Sequence, residues 1–87
     1  MKIAICDDDS LVLQELSSLL NEYRAKSRTH LEYEKYSCPL ELLAQLEKGA
    51  HFDIILLDVV MPGINGIQCA KDIRAIDNFV KIIFLTS

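Results

Sequence analysis

This 87-residue sequence predicts an α/β fold built on one parallel sheet. Three observations lead to it. Short apolar runs stop at acidic or hydroxyl residues, as at Ile3–Cys6 before three aspartates, Ile54–Leu57 before Asp58 and Ile82–Leu85 before Thr86. The stretches between carry apolar residues at helical spacing. The resulting order is strand, helix, strand, helix, strand, helix, strand, which implies right-handed crossovers with helices on both faces of the sheet.

Ile3–Cys6 is apolar throughout, as suits a buried parallel strand. Asp7, Asp8, Asp9 and Ser10 end it and can cap a helix over about Ser10 to Lys26, whose apolar stripe is Val12, Leu16, Leu19, Leu20 and Tyr23. Of the three aspartates, Asp9 is the one expected to cap. Leu31–Tyr36 alternates in part, as an outer strand would. Pro39 falls in the first turn of a second helix, with Leu42, Leu43 and Leu46 as its stripe and Gly49 as its C-terminal stop. Asp53–Leu57 is the most hydrophobic strand and is therefore expected at the centre. A loop with two glycines and a proline, Met61–Gly66, leads to a third helix marked by Ile67, Ala70 and Ile73 and ending near Asp77. Val80–Leu85 is the fourth strand. The whole is read as one domain, residues 1–87.

Composition narrows the function. Hydrophobic residues make up 51% and charged residues 25%, which excludes a disordered chain. A net charge of −4 argues against nucleic acid as a partner of this segment. No apolar run approaches the roughly 20 residues of a membrane span, and no signal sequence opens the chain. Cys6, Cys38 and Cys69 are scattered without metal-ligand spacing, so the expected compartment is the cytoplasm and zinc is not expected. Cys6 and Cys69 read as core residues. His30 and His51 read as isolated surface residues, and Arg24, Lys26 and Arg28 as a solvated helix end.

In parallel α/β sheets, chemistry gathers at the carboxyl ends of the strands. That rule selects Asp7–Asp9, Asp58 and Thr86. Several carboxylates at one edge repel each other unless their pKa values rise or a cation joins them. Oxygen donors of this kind suit magnesium. A magnesium held by Asp8 and Asp58 would leave positions open for phosphoryl oxygens, Asp58 would be the nucleophile, and the Thr86 hydroxyl could donate to the phosphoryl group.

These residues resemble the receiver domains of bacterial response regulators, in the CheY-like superfamily. The segment Asp53-Ile-Ile-Leu-Leu-Asp58-Val-Val-Met61-Pro62-Gly-Ile-Asn-Gly66 is similar to that family's phosphorylation loop. Ile3-Ala-Ile-Cys-Asp7-Asp8 is similar to its acidic-pair strand, and Ile82-Ile-Phe-Leu-Thr86 to its strand ending in Thr or Ser. The resemblance implies a flavodoxin-like, doubly wound sheet of strand order 2-1-3-4-5. It implies that Asp58 accepts phosphate from a sensor histidine kinase. Mg2+ would be ligated by Asp8, Asp58 and the backbone carbonyl of Val60, with Asp7 acting through water and Thr86 binding the phosphoryl group as a switch. It also implies an output domain outside this chain, of the DNA-binding type; the style of the second strand looks most like receivers that precede LytTR-type domains.

The family pattern continues past the fourth strand with a helix, a strand ending in Lys-Pro and a last helix, and these 87 residues do not include them. The βαβαβαβ unit is therefore expected to be either the N-terminal part of a longer polypeptide or a unit that pairs with a second copy through the apolar fourth strand or by swapping. Two other functional readings remain open. One is a receiver shell that binds partners without being phosphorylated. The other follows from Ile3–Ser10 and Phe84-Leu-Thr86, which also resemble motifs of haloacid-dehalogenase-type phosphatases, with Asp7 as nucleophile and Asp9 as general acid.

Overall fold

In a computed structural model, which describes residues 1–61, 63 and 65–85, the chain alternates strands and helices. The elements are β1 (Lys2–Cys6), α1 (Ser10–Lys26), β2 (Glu32–Tyr36), α2 (Pro39–Glu47), β3 (Ile54–Asp58), α3 (Gly66–Ile76) and β4 (Lys81–Leu85). The strands form one sheet in the order β2-β1-β3-β4, and every pair is parallel. This is the flavodoxin-like order as far as the fourth strand. Cys6 lies opposite both Tyr36 and Leu57, and Asp58 lies opposite Leu85. The residue after β1 and the last residue of β3 thus emerge on neighbouring strands at the same end of the sheet.

The two faces are covered unequally. On one, Ala4, Cys6, Ile55 and Leu57 pack with Leu42 and Leu46 of α2 and Cys69 and Ile73 of α3. On the other, Ile3 and Ile5 pack with Leu13 of α1 and with Leu31, while Ile54 and Leu56 are only partly covered. Alternation along β4 turns Ile83 toward this second face, where it is 49% exposed. Among the described residues β4 pairs with β3 alone, and Phe84 is 40% exposed.

Local chemistry sets the helix limits. Asp9 caps α1, its carboxylate accepting the Leu11 N–H at 2.9 Å. Asn65 caps α3 by accepting the Gln68 N–H at 2.7 Å. After α2, Gly49 takes φ +101°, and the N–H groups of Gly49 and Ala50 donate to the carbonyls of Leu46 and Gln45. That double closure is the Schellman arrangement, which needs a left-handed residue where Gly49 stands.

Two stripes differ from the sequence reading. In α1, Leu13 and Ser17 are buried, whereas Leu19 and Tyr23 are exposed. The helix is rotated toward a position the pattern treats as polar, and Ser17 tolerates it because its hydroxyl donates to the Leu13 carbonyl at 2.7 Å. In α3, Ile67 is exposed, while Ile73 and Cys69 are buried, the latter as the sequence reading expects. The histidines are exposed but not isolated: His30 Nε2 lies 3.1 Å from Glu32, and His51 Nδ1 lies 3.5 Å from Asp77. Arg24 also has partners, hydrogen-bonding Asn21 at 2.8 Å and lying over the Tyr33 ring. No helix among the described residues is long and apolar enough to cross a membrane.

Candidate metal centre at the strand ends

Asp7 follows β1 directly. Its N–H donates to the Tyr36 carbonyl at 3.1 Å, which extends the ladder by one bond and holds the residue against the sheet. The side chain is only 5% exposed, and one oxygen accepts the Asp9 N–H at 2.9 Å. Asp8 stands next to it and is exposed. Asp58, half-buried at the end of β3, accepts the Val60 N–H at 3.2 Å. Asp7, Asp8 and Asp58 each offer a carboxylate oxygen, and these oxygens lie within 4.8 Å of one another. They border a cavity of about 310 Å³ that is also lined by Asp9, Val12, Val60 and Leu85.

Gly66 fixes the Asp58 end of this cavity. Its N–H donates to the Val59 carbonyl at 2.8 Å, closing the loop that follows Asp58. A Cβ at this position would sit 2.2 Å from the Asp58 carbonyl oxygen and 2.7 Å from the Val59 Cα. The first turn of α3 therefore rests on the backbone of the strand end, and only a residue without a side chain allows that approach.

Burial is the main reason the Asp7 carboxyl is pushed above its ordinary range. The Asp9 N–H works against this, and the charges of Asp58, Asp8 and Asp9 add to the upward shift. No basic side chain lines the cavity among the described residues. A hard divalent cation fits such a donor set: it takes carboxylate oxygens and would relieve the mutual repulsion.

Of the residues singled out in the sequence, Asp7, Asp8 and Asp58 meet, and Val60 stands on the cavity wall with its side chain 74% exposed. Thr86 lies outside the described residues. Asp9 also lines the cavity, but one of its oxygens is occupied at the α1 N-terminus. This gives no support to a role as general acid beside a nucleophilic Asp7, and burial of Asp7 does not favour attack by it. Cys6 and Cys69 are fully buried, with thiols raised by burial to about 12 and about 11. Sequence reasoning did not assign Asn65 and Gly66 their positioning parts, although the fixed interval from Asp58 to Gly66 carried the signal.

Residues 3–87 match the family described as the response regulator receiver domain. The transcriptional regulatory protein CpxR homolog of Haemophilus influenzae is 36% identical over 86 residues, which cover 99% of this chain and 34% of that protein. The chain therefore spans about a third of that relative's length. Among solved structures, the N-terminal domain of a response regulator/sensory box/GGDEF protein from Carboxydothermus hydrogenoformans superposes with a TM-score of 0.85 at 25% identity, over 99% of this chain and 64% of that one. A chain from the complex of the histidine kinase ThkA with the response regulator protein TrrA gives a TM-score of 0.81 at 29% identity, over 99% and 68%. The sheet order, the acidic triad and these likenesses agree, and the chain belongs to the response regulator receiver domain family.

Proposed function

We propose that the chain is the phosphoacceptor module of a two-component response regulator, with Asp58 as the residue that takes the phosphoryl group. One observation carries the reading: three carboxylates from two neighbouring strand ends converge within 4.8 Å, with no basic side chain lining their cavity among the described residues. Asp8 and Asp58 would hold Mg2+ directly with the Val60 carbonyl, and Asp7 would act through water. Once bound, the cation would offset the charge that opposes carboxylate attack on a phosphoryl group.

Asp58 is the member of the triad suited to attack. Among the described residues its one hydrogen bond comes from the Val60 N–H at 3.2 Å, and it is half-buried, so a carboxylate oxygen stays open to the cavity. A bond forms from that oxygen to phosphorus as the phosphorus–nitrogen bond of a phosphohistidine donor breaks. The donor imidazole leaves and takes up a proton, and an acyl phosphate remains on Asp58. Thr86 would then hold a phosphoryl oxygen through its hydroxyl. In this reading the module promotes its own phosphorylation and dephosphorylation, in the cytoplasm, and is no enzyme acting on a separate substrate.

The proposed partners are a sensor histidine kinase, as in the ThkA–TrrA complex, and an output domain that controls transcription, with a LytTR-type domain as the narrower choice. Pairing of two copies through the open edge of β4 is a further proposal. The test uses a small phosphodonor with MgCl2 and intact-mass measurement. The protein should gain one phosphate, and Asp58→Asn should gain none. Phosphate on the Asp58→Asn protein would overturn the assignment, and no uptake by the parent would favour a module that works unphosphorylated.

A further inference from the structure

Asp9 belongs to three hydrogen bonds that link the end of β1 to the start of α1. Its backbone N–H donates to Asp7 Oδ1 at 2.9 Å, and its side-chain Oδ1 accepts the Leu11 N–H at 2.9 Å as the N-cap of α1. Its carbonyl accepts the Leu13 N–H at 3.1 Å, the first helical bond. The direction of the Asp9 N–H, and with it the orientation of a buried carboxylate, is thus set by the same backbone angles that the cap holds in place (φ −89°, ψ 113°). Asp9 is not one of the three residues whose oxygens converge, yet it stands on the wall of the same cavity.

We infer that Asp9 is a positioning residue of the metal centre: by capping α1 it holds its own N–H on Asp7 and so keeps the Asp7 carboxylate turned toward Asp8 and Asp58. This rests on the metal-binding reading above and goes beyond it by assigning a part to a residue that touches no ligand. The cap and the charge of Asp9 are separable mechanisms. If it acts through the cap, any side chain that accepts the Leu11 N–H will serve. If it acts through its charge, only a carboxylate will. Serine is a cap of equal rank to aspartate and carries no charge, so Asp9→Ser divides the two.

The experiment is calorimetric titration of the 87-residue protein with MgCl2, alongside Asp9→Ala and Asp9→Ser. Loss of a group that orients a metal ligand lowers affinity by about 10- to 100-fold. Asp9→Ala is expected to weaken Mg2+ binding by about tenfold, and Asp9→Ser to restore it to within about threefold of the parent. If Asp9→Ala melts too early to titrate, Asp9→Gly replaces it, since glycine removes the cap at little cost in stability. Parent-like binding by Asp9→Ala or Asp9→Gly would overturn the inference. Equal weakening of the capless variant and Asp9→Ser would overturn it too, by showing that charge alone matters. A parent that binds no Mg2+ would remove the metal reading and this inference together, which is a different result from a parent that binds and variants that bind equally well.

Discussion

Aspartates occupy both ends of the sheet, and the two ends use them in opposite ways. At the amino ends of the strands, Asp53 accepts the Lys2 N–H at 2.7 Å, and Asp77 accepts the N–H groups of Phe79 and Val80 at 2.8 and 3.1 Å. His51 and Arg74 lie near Asp77 as well, and its carboxyl is held below the ordinary range, first by the Phe79 N–H and further by the Val80 N–H, His51 and Arg74, with burial working against them. At the carboxyl ends, Asp7, Asp8 and Asp58 face one another, and Asp7 is pushed upward. The residue type is the same; the supply of donors differs. Asp77, with two backbone N–H groups on one oxygen, is held in its charged form by the fold, whereas Asp7, with one such bond and like-charged neighbours, is not.

The contrast can be tested in order of expected effect. Gly66→Ala should be the most disruptive change at the carboxyl end, because its Cβ would meet strand backbone rather than a movable side chain. A loss of about 2 to 4 kcal/mol is expected, read from denaturant unfolding. An unaltered midpoint would mean that α3 does not rest on the strand end as described. At the opposite end, Asp77→Ala should lower stability by about 1 to 3 kcal/mol, because two N–H groups lose a charged acceptor.

The smallest effect has the opposite sign. Asp7→Asn should raise the melting temperature of the metal-free protein at neutral pH while removing a contributor to the proposed metal centre. The sign follows from linkage: a carboxyl whose pKa is raised on folding opposes folding once it is ionised. Its stability contribution is present below the ordinary value of 3.8 and lost as pH rises through the folded-state pKa. The advantage of Asp7→Asn should therefore be greatest near neutrality and shrink as pH falls toward 3.8. Asp77 behaves inversely, its contribution being present above 3.8 and lost as pH falls through its lowered pKa. Thermal melts of the parent, Asp7→Asn and Asp77→Ala across pH 3 to 7 separate the two. A destabilised Asp7→Asn protein at neutral pH would refute the division between the ends.

Much of this was legible in the sequence because it depends on local rules. The uninterrupted run Ile54–Leu57 identified β3 as a central strand, Asp9 read as a cap, and Gly49 read as a helix stop. The convergence of Asp7, Asp8 and Asp58 followed from topology alone, since parallel strands bring their carboxyl ends together. The rotation of α1 was not legible. Periodicity counts a serine as polar, and nothing in the pattern says that the Ser17 hydroxyl finds the Leu13 carbonyl within its own helix and can be buried. The histidine contacts were hidden for a related reason. His51 and Asp77 are 26 positions apart, and only the packing of the two connections that precede β3 and β4 brings them together.

The contact between Gly66 and the Asp58 carbonyl also acts as a ruler. The Val59–Gly66 hydrogen bond ties the two ends of the connection together, so α3 begins at Gly66 with a fixed angular phase. Each residue of a helix turns by about 100°. If the tie passed to the neighbouring residue, a single insertion in this interval would put Gln68 and Asp72 where Cys69 and Ile73 stand, and a single deletion would put Ala70 and Arg74 there. Reach and rotation are thus locked to one another at Gly66, and the contact that sets where α3 begins also sets which side chains it lays on the sheet.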